Sequence, residues 1–220
     1  MLPLFHRIDS IEPVVSYIAE KLKGPLAQGK HVVWLVPGGS AISVAVAVGK
    51  KLQDVPLDRL TVTLTDERYG PVGHKDSNWK QLLDAGFDLP GARMIPVLAS
   101  HDLETTTADF NRLLLTMIGI ADTVIGFFGM GPDGHVAGIL PHSSAVNSSD
   151  FVASYDAPPY QRITMTTVPM LALTEAIIYA TGEPKRTALE NLKKELPVTD
   201  QPAQALKLAH AFTVFTDQRI

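Results

Sequence analysis

An acid and an imidazole stand two residues apart in the glycine-rich stretch 126–141. The stretch reads Gly-Phe-Phe-Gly-Met-Gly-Pro-Asp-Gly-His-Val-Ala-Gly-Ile-Leu-Pro, and its turn contains Gly131, Asp133 and His135. The chain enters this turn through an apolar run of Val124, Ile125, Phe127 and Phe128, which predicts a buried strand at 123–128. A strand that ends in glycines can present a base at its C-terminal end. His135 is therefore a candidate general base with Asp133 beside it.

A second glycine-rich turn, Gly38-Gly39-Ser40, separates a predicted strand at 31–36 from a predicted helix that runs from Ser40 to about Gln53. Glycines let the backbone approach an anion closely, and a helix N-terminus offers free amides and the positive end of its dipole. The Ser40 hydroxyl adds a donor, so the turn is a candidate phosphate cradle. A simple chain reversal is the alternative interpretation. Neither a dinucleotide fingerprint nor a Walker loop matches this spacing.

Charged residues follow the predicted strand 60–65. Arg68 could hold a phosphate through a bidentate contact, and Asp66 could orient a water molecule or a sugar hydroxyl. A solvated polar loop is the alternative interpretation of this segment. Ser77-Asn78 comes nine residues after Arg68, and Ser77 is expected to cap a helix.

Two further basic residues complete the set of candidates. Arg162 opens a predicted strand at 162–167, and Lys185 lies in a predicted helix at 183–194. Either residue alone would be interpreted as a surface charge. The other candidates fall at strand-to-helix junctions, which share one edge of a parallel sheet. Arg162 is the exception because it lies at the start of its strand.

Helical and strand patterns alternate along the chain, which predicts an α/β fold around a mostly parallel sheet in a single domain, residues 1–220. Ser10 is expected to cap a first helix that Gly24-Pro25 interrupts. The remaining predicted elements are a helix after Ser77, a strand at 93–98, a helix at 102–118, and strands at 151–155, 176–181 and 211–216.

Composition excludes several classes of function. The net charge of −4 argues against a nucleic-acid-binding surface. The absence of cysteine excludes disulfides, thiolate catalysis and cysteine-based zinc sites, and no histidine pairing with metal-ligand spacing occurs. No apolar run approaches the ~20 residues that a membrane helix needs, and the N-terminus carries no secretion signal. These features favour a cytoplasmic protein with no metal and no membrane contact.

Four segments, in order, resemble the 6-phosphogluconolactonase family, whose relatives include glucosamine-6-phosphate deaminases. The segments are Pro37–Ser40, Thr65–Arg68 with Ser77-Asn78, Gly129–Pro141, and Arg162–Thr164 with Thr166 and Gly182–Lys185. They span about residues 30–190. The resemblance implies one Rossmann-like domain with a mostly parallel sheet and helices on both faces.

The resemblance also implies a reaction, the hydrolysis of 6-phospho-D-glucono-1,5-lactone to 6-phosphogluconate in the pentose phosphate pathway. The catalytic residues would be His135, Asp133 and Asp66. The substrate or phosphate contacts would come from Gly38, Gly39, Ser40, Arg68, Asn78, Gly131, Arg162 and Lys185. A lactone carbonyl is already electrophilic, so no cofactor or metal is expected. The partner would be a small sugar-phosphate lactone, and the protein a monomer or small homo-oligomer.

In this chemistry, neutral His135 takes a proton from the water that attacks C1 and returns it to the departing ring oxygen. Amides of the glycine loop are candidates to bind the oxyanion. Two departures from the family pattern lie beside these loops. Ala41-Ile42 stands where the family usually has Thr-Pro, and Gly138-Ile139-Leu140 stands where it usually has Ser-Leu-Phe.

Two other functions remain open at this point. A glucosamine-6-phosphate deaminase or isomerase typically carries a glutamate five residues after the histidine, where this chain has Leu140, and favours tyrosine where it has Arg68. A regulator that binds sugar phosphates without catalysis could lose Asp133 or His135, and both are present. The differences favour the lactonase.

Overall fold

Seven strands form a parallel sheet at the centre of the fold. A computed structural model describes residues 1–220. The chain has ten strands in all, which are β1 (Leu4–Arg7), β2 (Val32–Val36), β3 (Leu60–Leu64), β4 (Asp66–Arg68), β5 (Arg93–Met94), β6 (Thr123–Gly129), β7 (Val152–Ala157), β8 (Tyr160–Met165), β9 (Glu175–Tyr179) and β10 (Phe212–Thr216). The central sheet has the order β1-β10-β9-β6-β2-β3-β5, and every neighbouring pair is parallel.

Helices connect these strands. They are α1 (Glu12–Ala27), α2 (Ile42–Lys51), α3 (Asn78–Asp84), α4 (Leu103–Ile120) and α5 (Arg186–Asn191). From β2 the chain adds β3 and β5 in one direction, then returns across the sheet to β6. Right-handed crossovers therefore place α2 and α3 on one face and α4 on the other. This confirms the predicted α/β class and the Rossmann-like, mostly parallel sheet.

The strand order reverses between β2 and β6, which are direct neighbours. A crevice forms outside the carboxyl ends of the strands at such a switch point. The turn with Gly38–Ser40 follows β2, and the turn with Asp133 and His135 follows β6. All five residues of β2 are buried, as expected for a strand covered by helices on both faces. The topology thus brings the two glycine-rich turns together.

A second, antiparallel sheet of three strands, in the order β4-β8-β7, adjoins this edge. The alternative interpretation of residues 66–68 as a solvated polar loop is wrong, because Asp66–Arg68 pairs with β8 and its two acidic residues are buried. In this pairing Arg68 lies opposite Arg162. The antiparallel direction of β8 is what brings Arg162, near the start of its strand, to the same place as Arg68.

Two predictions about α1 were also wrong. The residue before the helix is Ile11, no side chain caps it, and Ser10 lies outside. Gly24-Pro25 does not interrupt the helix, which continues to Ala27. Pro25 lies in the last turn, and the buried face of Val14, Val15, Ile18, Ala19, Leu22 and Leu26 packs against the core. Tertiary packing therefore outweighs the local breaking signal.

The other predicted elements differ mainly in extent. The predicted strand 93–98 pairs only over Arg93–Met94, and the predicted helix 183–194 divides into a 3₁₀ turn, Glu183–Lys185, followed by α5. A 3₁₀ turn, Gly39–Ala41, precedes α2. The remaining 3₁₀ segments are Ser144–Asn147, Val168–Ala172 and Pro202–Leu208. Ser77 caps α3 as predicted, since its Oγ accepts the Lys80 amide at 3.1 Å. No helix has the length and apolar character needed to cross a bilayer.

Candidate active site

A polar cavity of about 230 Å³ opens at the switch point. Ten of the eleven predicted site residues line it, and the eleventh, Asp133, contacts His135. The ten are Gly38, Gly39, Ser40, Asp66, Arg68, Asn78, Gly131, His135, Arg162 and Lys185. The remaining lining residues are Pro37, Gly129, Met130 and Ala137. Segments far apart in the sequence therefore converge on one cavity.

The His135 ring is oriented by Asp133. Nδ1 of His135 donates to Oδ1 of Asp133 at 2.7 Å, and the His135 amide donates to the same oxygen at 3.2 Å. This assignment puts the proton of the neutral ring on Nδ1, so Nε2 carries the free lone pair. Nε2 has no hydrogen-bond partner within the protein. The pair therefore has the arrangement of a general base with an orienting carboxylate.

Gly131 makes room for this pair. A Cβ atom at position 131 would stand 2.2 Å from His135 Nδ1 and 2.6 Å from Asp133 Oδ1. Contacts that short do not occur in folded proteins, so any side chain here displaces the ring or the carboxylate. The glycine in the predicted motif thus has a definite steric role.

We expect Gly131→Ala to lower kcat for the lactone hydrolysis that the sequence predicts about 100-fold. The displaced imidazole would no longer lie within hydrogen-bond distance of the water from which it is expected to take a proton. The matched control is Gly119→Ala on α4, since a Cβ at Gly119 would meet no atom within 4 Å and Gly119 lies outside the cavity. Steady-state rates of both variants check the prediction. Equal rates for the two variants would contradict the steric role of Gly131.

The amides of the glycine loop are occupied by the loop itself. The Gly131 amide donates to the His135 carbonyl and the Gly134 amide donates to the Gly131 carbonyl, each at 3.0 Å. The His135 amide donates to Asp133. The expectation that amides of this loop bind an oxyanion is therefore wrong for these three groups. The turn after β2 and the basic side chains also present donors to the cavity.

Arg68 and Arg162 present unpartnered donors. The Nε atoms of both are buried without a hydrogen-bond partner. Arg68 is fixed by a bond from Nη1 to the Asp76 carbonyl at 3.1 Å and by the Tyr160 ring, whose centroid lies 4.9 Å from Cζ. Buried donors normally have partners, and two neighbouring guanidinium groups repel each other. Both costs are relieved when an anion such as phosphate binds.

Lys185 adds a third positive charge. Its side chain is half-buried and forms no ion pair within 4.0 Å. Burial lowers the pKa of Lys185, and the negative charge of Asp217 opposes this shift only in part. The 3₁₀ turn Glu183–Lys185 after β9 brings the lysine to the cavity rim. The cavity thus concentrates positive charge in a chain whose net charge is −4.

Asp66 is the acid on the cavity wall. Oδ1 accepts from the Thr65 hydroxyl at 3.1 Å, and Oδ2 lies 3.6 Å from Nη1 of Arg162. Burial raises the pKa of Asp66, while the positive charge of Arg162 and the Thr65 bond oppose the shift. A carboxyl with a perturbed pKa beside a histidine is typical of a functional site.

Asn78 is held by hydrogen bonds from its side-chain amide. Nδ2 donates to the Asp66 carbonyl at 3.0 Å and lies 3.5 Å from Asp66 Oδ2. This leaves Oδ1 buried with no partner. Asn78 Oδ1 therefore lies against the backbone of Gly38, where a Cβ atom would stand 2.2 Å from it.

Glu67 is the residue whose role sequence reasoning missed. It is fully buried and accepts from the Ser77 hydroxyl at 2.9 Å and from the amides of Asn78 and Trp79 at 2.6 and 3.1 Å. The Arg68 amide also donates to it at 2.7 Å. Burial raises the pKa of Glu67 although these bonds oppose the shift. Glu67 ties the start of α3 to β4, and so fixes Arg68 and Asn78 relative to each other.

Comparisons with known proteins agree with this architecture. The family model described as glucosamine-6-phosphate isomerases/6-phosphogluconolactonase matches residues 7–215. The chain is 28% identical over 179 residues to a 6-phosphogluconolactonase of Mycobacterium tuberculosis, covering 74% of this chain and 72% of that protein. It is 26% identical over 192 residues to one of Thermotoga maritima, covering 84% and 86%.

Solved structures share the fold. A 6-phosphogluconolactonase from Shewanella baltica superposes with a TM-score of 0.81 at 18% identity, covering 97% of both chains. One from Thermotoga maritima has a TM-score of 0.81 at 21% identity, covering 97% of this chain and 99% of that one. Since the family model extends over nearly all of the 220 residues, the chain belongs to the glucosamine-6-phosphate isomerase/6-phosphogluconolactonase family.

Proposed function

We propose that the protein hydrolyses 6-phospho-D-glucono-1,5-lactone to 6-phosphogluconate, the second step of the pentose phosphate pathway. The observation that carries this proposal is the presence, in one cavity, of an oriented base and three cationic side chains, two of which keep an Nε atom without a hydrogen-bond partner. His135 with Asp133 supplies the base, and Arg68, Arg162 and Lys185 supply the charge. The relatives named 6-phosphogluconolactonase support the same reaction.

In the proposed mechanism, His135 Nε2 takes a proton from water as the water oxygen bonds to C1 of the lactone. Asp133 stabilises the imidazolium that forms, as a carboxylate hydrogen-bonded to Nδ1 does. The bond from C1 to the ring oxygen then breaks, and the imidazolium returns its proton to that oxygen. Cationic groups and the helix start after Gly38 stabilise the oxyanion, because the amides of Gly131 and Gly134 are engaged.

The phosphate group is proposed to supply orientation rather than chemistry. It is remote from C1, and the energy of its contacts with Arg68, Arg162, Lys185 and the turn at Gly38–Ser40 holds the lactone in place. Asn78 and Asp66 are left to contact sugar hydroxyls or the attacking water.

The competing activities are less well supported. Position 140, where a deaminase or isomerase typically carries a glutamate, is Leu140, whose apolar side chain cannot transfer a proton. The Leu140 amide donates to the Tyr155 hydroxyl at 3.1 Å. A regulator without catalysis needs no oriented base, yet the Asp133–His135 pair is intact.

The two activities are separated by parallel assays. Freshly generated 6-phosphogluconolactone is followed for 6-phosphogluconate formation, and glucosamine 6-phosphate is followed for ammonia release. We expect turnover of the lactone and no release of ammonia. Ammonia release with no gain over spontaneous lactone hydrolysis would replace the lactonase by the deaminase.

The role of Lys185 predicts a pH dependence. An anion is attracted by the protonated form of Lys185. The contribution of Lys185 to the affinity for 6-phosphogluconate is therefore fully present below its lowered pKa and is lost as the pH rises through that pKa. We expect calorimetric binding of 6-phosphogluconate to weaken in this alkaline range. Lys185→Arg keeps its charge there and should abolish that weakening. An unchanged alkaline limb in Lys185→Arg would exclude Lys185 as its source.

We also propose that residues 1–220 act as one domain. A continuous core of 59 buried hydrophobic residues supports this, since it includes Trp34 of the central sheet and Ile163 of the antiparallel sheet. Neither sheet has a separate core of its own.

A further inference from the structure

Gln201 lies between the His135 turn and the helix that follows Lys185. It is only 3% exposed, although it is polar and lies outside the cavity. Its Nε2 donates to the Ala188 carbonyl in α5 at 2.7 Å. Ala188 is three residues after Lys185, so this bond anchors the first turn of α5.

The same side chain packs against the catalytic turn. Gly134 separates Asp133 from His135 and has a φ of +79°. A Cβ at Gly134 would stand 2.4 Å from Gln201 Cγ, so the glutamine stem lies directly on its backbone. The Gly134 carbonyl also accepts the Ala203 amide at 3.0 Å. The segment beginning at Gln201 therefore supports the turn that holds the base.

We propose that Gln201 is a positioning residue that keeps the His135 turn and Lys185 at a fixed separation. This inference rests on the proposed function, in which Lys185 holds the phosphate and His135 serves C1. The two ends of the substrate are bound by segments about 50 residues apart in sequence. A phosphate contact accelerates the reaction at C1 only if the two segments stay in register, because a shift of about 1 Å can cost about 100-fold.

The test compares two substrates, 6-phosphogluconolactone and unphosphorylated glucono-1,5-lactone. The ratio of their kcat/KM values measures how far the phosphate contact aids the reaction. Gln201→Met retains the packing on Gly134 and loses the bond to Ala188, whereas Gln201→Ala loses both. We expect the ratio to fall about 10-fold in Gln201→Met and further in Gln201→Ala.

Asn111→Leu is the matched control. Asn111 is a half-buried amide residue on α4, and its Oδ1 accepts the Val152 amide in β7 at 2.9 Å, so it also joins two segments that are distant in sequence. It lies outside the cavity and forms no hydrogen bond with Gln201. We expect this variant to lose thermal stability as Gln201→Met does, but to keep the substrate ratio within about twofold of the parent.

The outcomes separate the inference from the function. An unchanged ratio in a folded Gln201→Met, with only a lower melting temperature, would show a purely structural role and overturn the inference. An equal fall in Asn111→Leu would overturn it as well. A parent protein that hydrolyses neither lactone would overturn the proposed function and this inference with it. If Gln201→Ala fails to fold, Gln201→Met decides the question.

Discussion

Replacement of His135 by alanine is expected to lower kcat for lactone hydrolysis about 100- to 10,000-fold, which is what a positioned general base contributes. The loss should fall on kcat because, in the proposed mechanism, Nε2 acts on the attacking water, and the proposed phosphate contacts of Arg68 and Lys185 remain. The fold should be retained, since the His135 side chain is 31% exposed and bonds only within its own turn. Initial rates and circular dichroism of the variant check both parts.

His101→Ala is the control for this prediction. His101 also pairs with an aspartate, since its Nδ1 lies 3.2 Å from Asp109 Oδ2, but it is outside the cavity. We expect it to keep the parental rate within about twofold, as a surface substitution does. If a folded His135→Ala is as active as His101→Ala, His135 is not the general base.

Replacement of Arg68 by methionine is expected to raise KM for 6-phosphogluconolactone about 100-fold. Charge-assisted hydrogen bonds to a buried group contribute about 1.5–3 kcal/mol, and methionine keeps the stem but removes the donors. The effect falls mainly on KM because phosphate contacts stabilise the bound ground state and the transition state alike. Steady-state kinetics over a wide range of substrate concentration measures the change.

Arg112→Met is the corresponding control, since Arg112 lies on α4, does not line the cavity, and has a side chain that is 74% exposed. It should leave KM within about twofold of the parent. A fall of kcat at constant KM in Arg68→Met would contradict the assignment of Arg68 to the phosphate.

The two glycine-rich turns of the candidate site could be predicted from the sequence because the residues that indicate them are consecutive in the chain. Gly38–Ser40 and Asp133–His135 each follow an apolar run, and an α/β topology places the ends of such runs at one edge. The parallel order of the sheet is enough to place both turns at the same edge. Sequence could not give the switch point itself, since the adjacency of β2 and β6 depends on crossovers between distant segments.

What sequence missed depends on non-local contacts. Arg162 reaches the cavity because β8 pairs antiparallel with β4, and no local pattern records that pairing. In the sequence Glu67 resembles a surface charge, but in the fold the first amides of α3 donate to its carboxylate. The glycines after β6 predicted a loop whose amides bind an oxyanion. In the folded turn the amides of Gly131 and Gly134 donate instead to carbonyl groups of the same turn.

The proposed function requires that this cavity hydrolyse a phosphorylated lactone. The most direct measurement is the rate of base consumption at constant neutral pH after freshly generated 6-phosphogluconolactone is added to the protein. We predict a rate above spontaneous hydrolysis that saturates with substrate and is inhibited competitively by inorganic phosphate. A rate equal to spontaneous hydrolysis, from a folded protein that binds 6-phosphogluconate, would contradict the account and leave a binding function in its place.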